Sequence, residues 1–250
     1  MSLVQVDEHE DGVRVITLDD PDRRNIIGPE LQTDLHAAVR RVRADAATTA
    51  VVVTGAGSAF CGGADLPAVF GDTGRSVAQL RDDLLEVYAC FLALRDLSMP
   101  TIAAVQGPAV GAGLNLAMSC DLRVAGPDAS FAATFSRIGL HPGGGCTWFL
   151  VQALGKERAL QLLLDGGAMS GAEAVARGLA ATLADDPLTA ATEMAHRYAR
   201  LDRQLAADIK RSVQIADDAD LGSSLEFEAW AQASSATKPA IQEFVSKFRK

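Results

Sequence analysis

The chain has 250 residues, of which 48% are hydrophobic and 22% charged, so it can form one large domain with a sizeable core. Its formal net charge of -9 argues against nucleic acid or an anionic membrane as the main partner, because both would repel it. Four scattered cysteines form no CxxC pair, so no metal site or redox motif is indicated, and reduced thiols in the cytoplasm are expected. The N-terminal segment has no apolar signal core, and no apolar run reaches transmembrane length.

The beginning of the chain predicts a hairpin, a helix and a buried strand. Two alternating segments flank Asp11-Gly12, which is a hairpin turn signal. A helix is predicted to start at Pro29, because apolar residues then recur at helical spacing. Its apolar face consists of Leu31, Leu35, Ala38, Val39 and Val42. The wholly apolar segment "AVVVTG" that follows is typical of a strand buried on both faces.

The middle of the chain continues this alternation. A helix is predicted over 76–97, a strand at "TIAAVQG", a short helix over 111–119 and a strand at "CDLRVAG". Alternating strands and helices imply right-handed crossovers, but the N-terminal hairpin fits poorly with a plain doubly wound sheet. From about Pro187 only helices are predicted. The sequence therefore predicts an α/β core over 1–186 and a helical C-terminal region over 187–250.

Two glycine-rich loops follow buried strands, and neither is a nucleotide-binding fingerprint. In "GAGSAF" and "GAGLNL", Phe60 and Leu116 replace the third glycine of GxGxxG. The chain also lacks the P-loop pattern and the GxSxG nucleophile elbow, so a nicotinamide oxidoreductase is disfavoured. Cys61 is a formal candidate nucleophile, but no base is identifiable for it. A small buried thiol is the preferred interpretation of Cys61.

The same two loops have two interpretations. Small residues let a ligand reach main-chain N–H groups, and two such turns could aim two donors at one oxygen, which would form an oxyanion hole. Alternatively, the glycines and alanines serve only tight turns and close helix packing, with no ligand. Residue spacing alone does not decide between these interpretations.

Four ordered motifs, "PDRRN", "AFCGGADL", "QGPAVGAGLNLAMSCDLRVA" and "GLHPGGG", resemble the crotonase, or enoyl-CoA hydratase/isomerase, superfamily. The resemblance covers essentially the whole chain. It implies an α/β, crotonase-like (ClpP/crotonase) core of βαβ-type units with two roughly perpendicular sheets. It also implies a C-terminal helical trimerisation region that builds a homotrimer or a dimer of trimers. The implied ligand is an acyl-CoA thioester, with CoA as part of the substrate, no separate cofactor and no metal.

The resemblance further implies the residues that carry the chemistry. In the family, two backbone N–H groups hold the thioester oxygen, and the matching residues are Ala64 and Ala112. Family hydratases use two glutamates as general base and general acid, but the matching residues here are Asn115 and Phe135. An amide can hold a water molecule but cannot accept its proton at neutral pH. Asn115 is therefore either a positioning group or a buried residue that caps local backbone.

Other side chains are candidates to replace the missing carboxylates. His141 lies beside the turn that lines the family's active site, and it is either a general base or a histidine bonded to backbone. Gly143 matches a position whose N–H faces the catalytic water of the family. Four acidic residues lie in the region that forms the acyl pocket, but their spacing also suits a solvated helix face. They are Asp72, Asp82, Asp83 and Glu86.

The CoA moiety carries phosphates, which need cations and main-chain donors. The residues that the resemblance implies for this role are Arg23, Arg24, Phe60, Gly62, Asp65, Phe244 and Lys247. Asp65 is interpreted as structural or ribose-facing rather than catalytic. Pro67 stands near the position where the family often has a lysine, which weakens one expected phosphate contact. The C-terminal "KFRK" is alternatively a solvated basic tail.

These observations predict a cytoplasmic acyl-CoA-binding protein of the crotonase superfamily. Its expected assignment is enoyl-CoA hydratase/isomerase in fatty-acid or related acyl-CoA metabolism, with weak or altered activity because both glutamates are absent. The alternative is a non-catalytic acyl-CoA binder of the same fold, which keeps the oxyanion turns and lacks the acid/base pair.

Overall fold

The computed structural model of the protein describes residues 2–247, and within them the chain forms two β-sheets surrounded by helices. The strands are β1 Val4–Glu8, β2 Val13–Leu18, β3 Ala50–Gly55, β4 Thr101–Val105, β5 Pro108–Val110, β6 Leu122–Ala125, β7 Ser130–Ala132, β8 Ala168–Ser170 and β9 Thr182–Leu183. The helices are α1 Pro29–Ala44, α2 Leu66–Phe70, α3 Val77–Leu92, α4 Ala112–Met118, α5 Cys146–Leu154, α6 Lys156–Asp165, α7 Gly171–Ala176, α8 Pro187–Ala199, α9 Arg203–Asp218, α10 Leu221–Ala236 and α11 Pro239–Ser246. Two short 3-10 turns cover Pro21–Arg23 and Thr134–Ile138.

The larger sheet has six strands in the order β1-β2-β3-β4-β6-β9. The β1–β2 hairpin is antiparallel, as its turn signal predicts, and the other neighbours pair in parallel. Every residue of β3 is buried, because this central strand is covered on both faces. On one face, Val52 of β3 packs with Ala191 and Ala195 of α8. On the opposite face, Val51 and Val53 join the main hydrophobic core.

The predicted α1 is confirmed, and its apolar face is the face that the sequence indicates. All five predicted core residues are buried in the structure. The helix begins at Pro29, where the missing N–H costs nothing because first-turn amides have no helical acceptor. The predicted helix over 76–97 is shorter than expected, because α3 ends at Leu92 and the chain tightens into turns in which Leu94 N–H donates to the Phe91 carbonyl.

The smaller sheet, in the order β5-β7-β8, is formed by strands that the sequence patterns do not reveal. Each of these strands has only three residues, which is too short for an alternation to be recognised. The two sheets with their crossover helices confirm the expected crotonase-like α/β fold class.

The chain from Pro187 onward is helical throughout its described part, ending at 247. The helix α8 covers one face of the larger sheet, so its packing belongs to the core. The helices α9, α10 and α11 follow it, and Lys210 of α9 is anchored by an ion pair with Asp121 at 2.8 Å. The division into 1–186 and 187–250 stays a prediction about domain organisation. Within residues 2–247, no helix combines the length and the apolar character needed to span a membrane.

Candidate active site

The two glycine-rich loops lie side by side, because their backbones pair. Cys61 forms a parallel bridge with Ala109, in which Cys61 N–H donates to the Pro108 carbonyl at 3.1 Å and Val110 N–H donates to the Cys61 carbonyl at 3.0 Å. Counting three residues on from each bridged residue brings Ala64 of the first loop level with Ala112 of the second. The two residues predicted to supply oxyanion donors are therefore brought to neighbouring positions.

Glycines make this close approach feasible. A Cβ at Gly113 would collide with the Cys61 carbonyl oxygen, and a Cβ at Gly63 would lie 2.8 Å from the Val110 carbonyl oxygen. Gly63 also has a φ of +105°, which side chains rarely adopt. The small residues of the second loop thus accommodate the first loop, and this packing places the amides that follow.

The Ala64 and Ala112 amides are both available to a ligand. Within the described part of the chain, neither N–H donates to a protein acceptor. Ala112 is the first residue of α4, where amides have no acceptor within the helix. Both residues line one cavity of about 320 Å³, so two residues with unused backbone donors lie at the same open-mouthed cavity.

The cavity has a mostly apolar wall and a few polar groups. Its larger apolar side chains come from α2, from α3, from β5 and from the 3-10 turn and the loop that follows it. They are Leu66, Val69, Phe70, Leu84, Val87, Val110, Phe135, Ile138, Leu140 and Pro142. Its polar side chains are Tyr88, Asn115, Thr134 and His141. A site of this composition suits an apolar chain attached to one polar group.

Asn115 lies in the cavity wall and is almost fully buried, with 2% of its surface exposed. Its Nδ2 donates to the Gly143 carbonyl at 2.8 Å, which holds the turn 142–144 against α4. Its Oδ1 has no hydrogen-bond partner within residues 2–247. Asn115 therefore binds the backbone of this turn through Nδ2, and its Oδ1 is buried.

The other predicted acid/base positions also line the cavity. Phe135 is half-buried, and its ring tip lies close to Gly111 at the start of α4, so this part of the wall is apolar. The Nδ1 of His141 lies 2.8 Å from the Pro142 carbonyl oxygen, so the ring is bonded to backbone. When Nδ1–H donates in this bond, Nε2 keeps a free lone pair, which is the form a general base requires. Gly143 lines the same cavity.

Tyr88 is a cavity residue that the sequence interpretation missed. It lies on α3, and its hydroxyl sits directly over Gly143, where a Cβ would collide with it. Burial raises the pKa of Tyr88, so the hydroxyl keeps its proton at neutral pH. The "GGG" sequence provides the space that this hydroxyl occupies. Such a run of glycines indicates that another group lies close to the backbone, but it does not identify that group.

Among the residues predicted to contact CoA, Arg23 and Asp65 form an ion pair at 2.7 Å. The second Asp65 carboxylate oxygen accepts the Ala68 amide at 3.2 Å and caps the N-terminus of α2. The Ala68 hydrogen bond and the Arg23 guanidinium lower the pKa of Asp65. These contacts occupy both carboxylate oxygens.

The remaining predicted CoA contacts are spread over two regions. Arg24 is exposed, and its carbonyl accepts the Gly62 amide at 2.8 Å, so these two residues adjoin the cavity mouth. Phe60 is fully buried in the core, so any ligand contact there falls to its main chain. Phe244 and Lys247 lie at and just after α11 and are not part of the cavity wall, and Lys247 is paired with Glu243 at 3.8 Å.

Several other residues that the sequence offers as candidates do not lie at the candidate active site. The acidic residues Asp72, Asp82, Asp83 and Glu86 do not line the cavity. Asp83 is paired with Arg75 at 2.5 Å and Asp82 with Arg81 at 2.7 Å. Burial raises the pKa of the Cys61 thiol to about 12, which makes it a poor nucleophile at neutral pH.

The fold is a crotonase-like core, and the paired loops and the cavity lie within it. Residues 8–249 match the family model described as Enoyl-CoA hydratase/isomerase. The chain belongs to this family, which confirms the resemblance seen in the sequence motifs.

Relatives and solved structures agree with this assignment. The chain is 48% identical over 212 residues to probable enoyl-CoA hydratase EchA14 of Mycobacterium tuberculosis H37Rv, covering 85% of this chain and 80% of the relative. It is 32% identical to 1,2-epoxyphenylacetyl-CoA isomerase of Escherichia coli K12, covering 96% of this chain and 92% of the relative. A crystal structure of enoyl-CoA hydratase from Bacillus anthracis superposes with a TM-score of 0.89 at 28% identity, covering 99% and 96% of the two chains.

Proposed function

We propose that the chain binds an acyl-CoA thioester with its carbonyl oxygen between the Ala64 and Ala112 amides and its acyl group in the cavity. The observation that carries the proposal is the pairing of the two loops, which brings two unused amides to one mostly apolar cavity. Each such donor is worth roughly 3–4 kcal/mol when negative charge develops on the oxygen. The reaction class supported by this arrangement is hydration, isomerisation or a related step through an enolate.

A non-catalytic acyl-CoA binder is the second candidate. It is favoured by Asn115 and Phe135, which stand at the positions of the family glutamates and supply no carboxylate. Because a general acid and a general base each contribute typically 10²–10⁴-fold, their loss would leave binding largely intact and slow the chemistry. His141 is the titratable cavity residue best suited to act as a relocated base.

Two measurements distinguish these candidates. Calorimetry with butyryl-CoA tests binding, and the loss of the conjugated thioester chromophore of crotonyl-CoA follows turnover. Binding with turnover near background supports the binder. Turnover that is abolished in His141→Ala, with an unchanged melting temperature, supports an enzyme with a relocated base. No binding of either thioester contradicts the proposed function itself.

The oxyanion role is tested by Ala112→Pro, which deletes one N–H. Proline is well tolerated at the first position of a helix, so the fold is expected to survive. We expect acyl-CoA affinity to weaken and, if the protein is catalytic, kcat/KM to fall about 10²–10³-fold.

The matched control for this change is Lys156→Pro. Lys156 is the first residue of α6 and also follows a glycine with positive φ, Gly155, but it lies outside the cavity wall. We expect this variant to bind acyl-CoA like the unaltered protein. Equal binding and turnover by a folded Ala112→Pro variant would contradict the oxyanion proposal.

Other parts of the proposal concern the whole assembly. Arg23 and Arg24 are exposed beside the cavity mouth and are proposed to contact the phosphates of CoA. The expected homotrimer or dimer of trimers is supported by large apolar side chains exposed on α9 and α10, including Val213 and Trp230. A cytoplasmic location remains a prediction, and the four free, buried cysteines are compatible with it.

A further inference from the structure

The loop between α2 and α3 carries an arginine that is bonded to both of these helices. Arg75 Nη2 donates to the Val69 carbonyl near the end of α2, and Arg75 Nη1 donates to the Asp83 carboxylate of α3 at 2.5 Å. Its Nε lies 3.9 Å from a carboxylate oxygen of Asp72 in the same loop. The side chain of Arg75 is only 20% exposed, although residues 71–74 before it are exposed. We call the contacts of Arg75 with Val69 and Asp83 the Arg75 bridge.

The Arg75 bridge acts directly beside the cavity wall. Val69, whose carbonyl accepts one of the two hydrogen bonds, lines the cavity with its side chain. Leu84, which follows Asp83 on α3, lines the cavity as well. Because α2 and α3 both contribute apolar side chains to the wall, the distance between these two helices sets the width of this part of the cavity.

Little else holds α2 and the beginning of α3 in place. Within residues 2–247, no other side chain connects the two helices through hydrogen bonds or ion pairs. Val69 is buried but is not part of the main hydrophobic core. The buried residues of α3 are Cys90 and Phe91, which both lie in its last turn. Segments with so few buried apolar contacts open at a low free-energy cost, so the Arg75 bridge decides how readily this wall moves.

The size of the cavity gives this wall a consequence for the ligand. A volume of about 320 Å³ lies at the lower end of the range of roughly 300–1,000 Å³ that small-molecule sites occupy. An acyl chain too long for this space has to displace part of the wall, and the contact between α2 and α3 is the part that the core holds least. Separating these helices breaks hydrogen bonds that involve a charged group, which are stronger than neutral ones.

We propose that Arg75 is a specificity-determining residue that restricts the site to acyl-CoA thioesters with short acyl groups. This inference rests on the proposed function, because it takes the acyl group to lie in the cavity. Arg75 does not line the cavity and acts through α2 and α3, so it is a positioning residue. With the Arg75 bridge intact, methylene groups beyond the cavity stay in water and add little affinity. Once the bridge is removed, each methylene that becomes buried adds about fourfold.

The test compares the dissociation constants of butyryl-CoA and octanoyl-CoA by calorimetry, since both acyl groups are saturated and differ only in length. In the unaltered protein we expect octanoyl-CoA to bind less than about fourfold tighter than butyryl-CoA, which is less than the gain from burying one methylene. Arg75→Met removes the donors and keeps a long side chain, and it should raise this affinity ratio at least about fivefold. Asp83→Asn removes one charge at nearly the same shape and should raise the ratio by a smaller factor. Melting temperatures identify the folded variants.

The matched control is Arg81→Met, which removes the same charge from an exposed arginine of α3 that is paired with Asp82. This variant should keep the ratio of the unaltered protein. An equal rise in Arg81→Met would overturn the inference, because the effect would then come from lost charge rather than from the Arg75 bridge.

Two further results would also overturn it. One is an unaltered protein in which octanoyl-CoA gains the full fourfold or so for each added methylene, because the cavity would then already admit long chains. The other is an unchanged ratio in folded Arg75→Met, and if that variant does not fold, an unchanged ratio in Asp83→Asn decides the matter. Failure of both thioesters to bind to the unaltered protein would instead contradict the proposed function.

Discussion

At the scale of single residues, the small side chains of the second loop have a structural cause that spacing alone does not show. Gly107 lies against the Ser58 carbonyl and Gly113 against the Cys61 carbonyl. The packing interpretation therefore accounts for these glycines. It does not compete with the oxyanion interpretation, because the same packing brings Ala64 level with Ala112.

Gly113→Ala tests this packing. Alanine usually stabilises a helix relative to glycine by about 1 kcal/mol, so propensity alone predicts a gain in stability. The added Cβ would collide with a backbone carbonyl that cannot easily move, and we expect a net loss of about 1–3 kcal/mol in the free energy of unfolding. Urea denaturation measures the difference.

Ser234→Ala on α10 serves as the comparison, because this exposed residue lies inside a helix and its substitution creates no collision. It should be neutral or slightly stabilising. A Gly113→Ala variant that is more stable than the unaltered protein would show that the loops are not in close contact.

Part of the candidate site can be predicted from the sequence, and part of it cannot. Asn115 and Ala112 belong to a motif whose glycines and neighbouring strand mark a turn, so their proximity to a ligand is predictable. Tyr88 occupies an ordinary position in an amphipathic helix, and nothing in its local pattern distinguishes a cavity residue from a core residue. Its partner lies 55 positions away, counted from Tyr88 to Gly143, so only the tertiary structure reveals the contact.

At the scale of secondary-structure elements, long helices and fully buried strands can be predicted from the sequence, whereas very short strands cannot. The sixteen-residue α1 and the wholly apolar β3 show clear patterns because one packs through a single face and the other is covered on both. The strands β5, β7 and β8 form by pairing with distant segments, and each has only three residues, so the local sequence does not identify them as strands. Pro108 at the start of β5 further weakens the strand pattern there.

Helix capping gives an element-scale prediction about pH. The Asp186 carboxylate caps α8 by accepting the Thr189 hydroxyl at 2.6 Å and the Thr189 amide at 3.0 Å. These bonds lower the pKa of Asp186 below its usual value of about 3.9. The carboxylate therefore stabilises the fold above that value, and the contribution is lost as the pH falls through the lowered pKa.

We expect Asp186→Ala to lower the melting temperature by about 2–4 °C at pH 7. The difference from the unaltered protein should shrink as the pH falls below about 3.9, when the carboxylate of the latter becomes protonated. Calorimetry across this pH range measures it. Asp186→Asn, which keeps a capping oxygen without a titratable group, should lose less stability at neutral pH. A difference that is constant with pH would contradict this origin.

At the scale of the whole molecule, the C-terminal helices carry more exposed apolar surface than an isolated chain would favour. Trp230 and Leu221 on α10 are each 74% exposed, and Val213 on α9 is 66% exposed. Because the sequence resemblance implies a trimer, we expect these side chains to form a surface between copies of the chain.

Trp230→Glu places a charge in this surface and should reduce the molar mass in solution toward that of one chain, because an unpaired buried charge is costly. Light scattering coupled to size-exclusion chromatography measures the mass. Trp230→Phe, which keeps an aromatic side chain, should assemble like the unaltered protein. An unchanged mass for Trp230→Glu would place the contacts between copies elsewhere.

The parallel pairing of Cys61 with Ala109 has a consequence for how such a scaffold can diversify. Both proposed oxyanion donors are main-chain groups, so substitution of most side chains leaves them in place. Asn115 and Phe135 line the same cavity, and they contribute to it through their side chains. In the proposed binding mode, main-chain groups hold the thioester oxygen and side chains surround the acyl group, so a substitution at a side chain can change the reaction without removing the oxyanion donors.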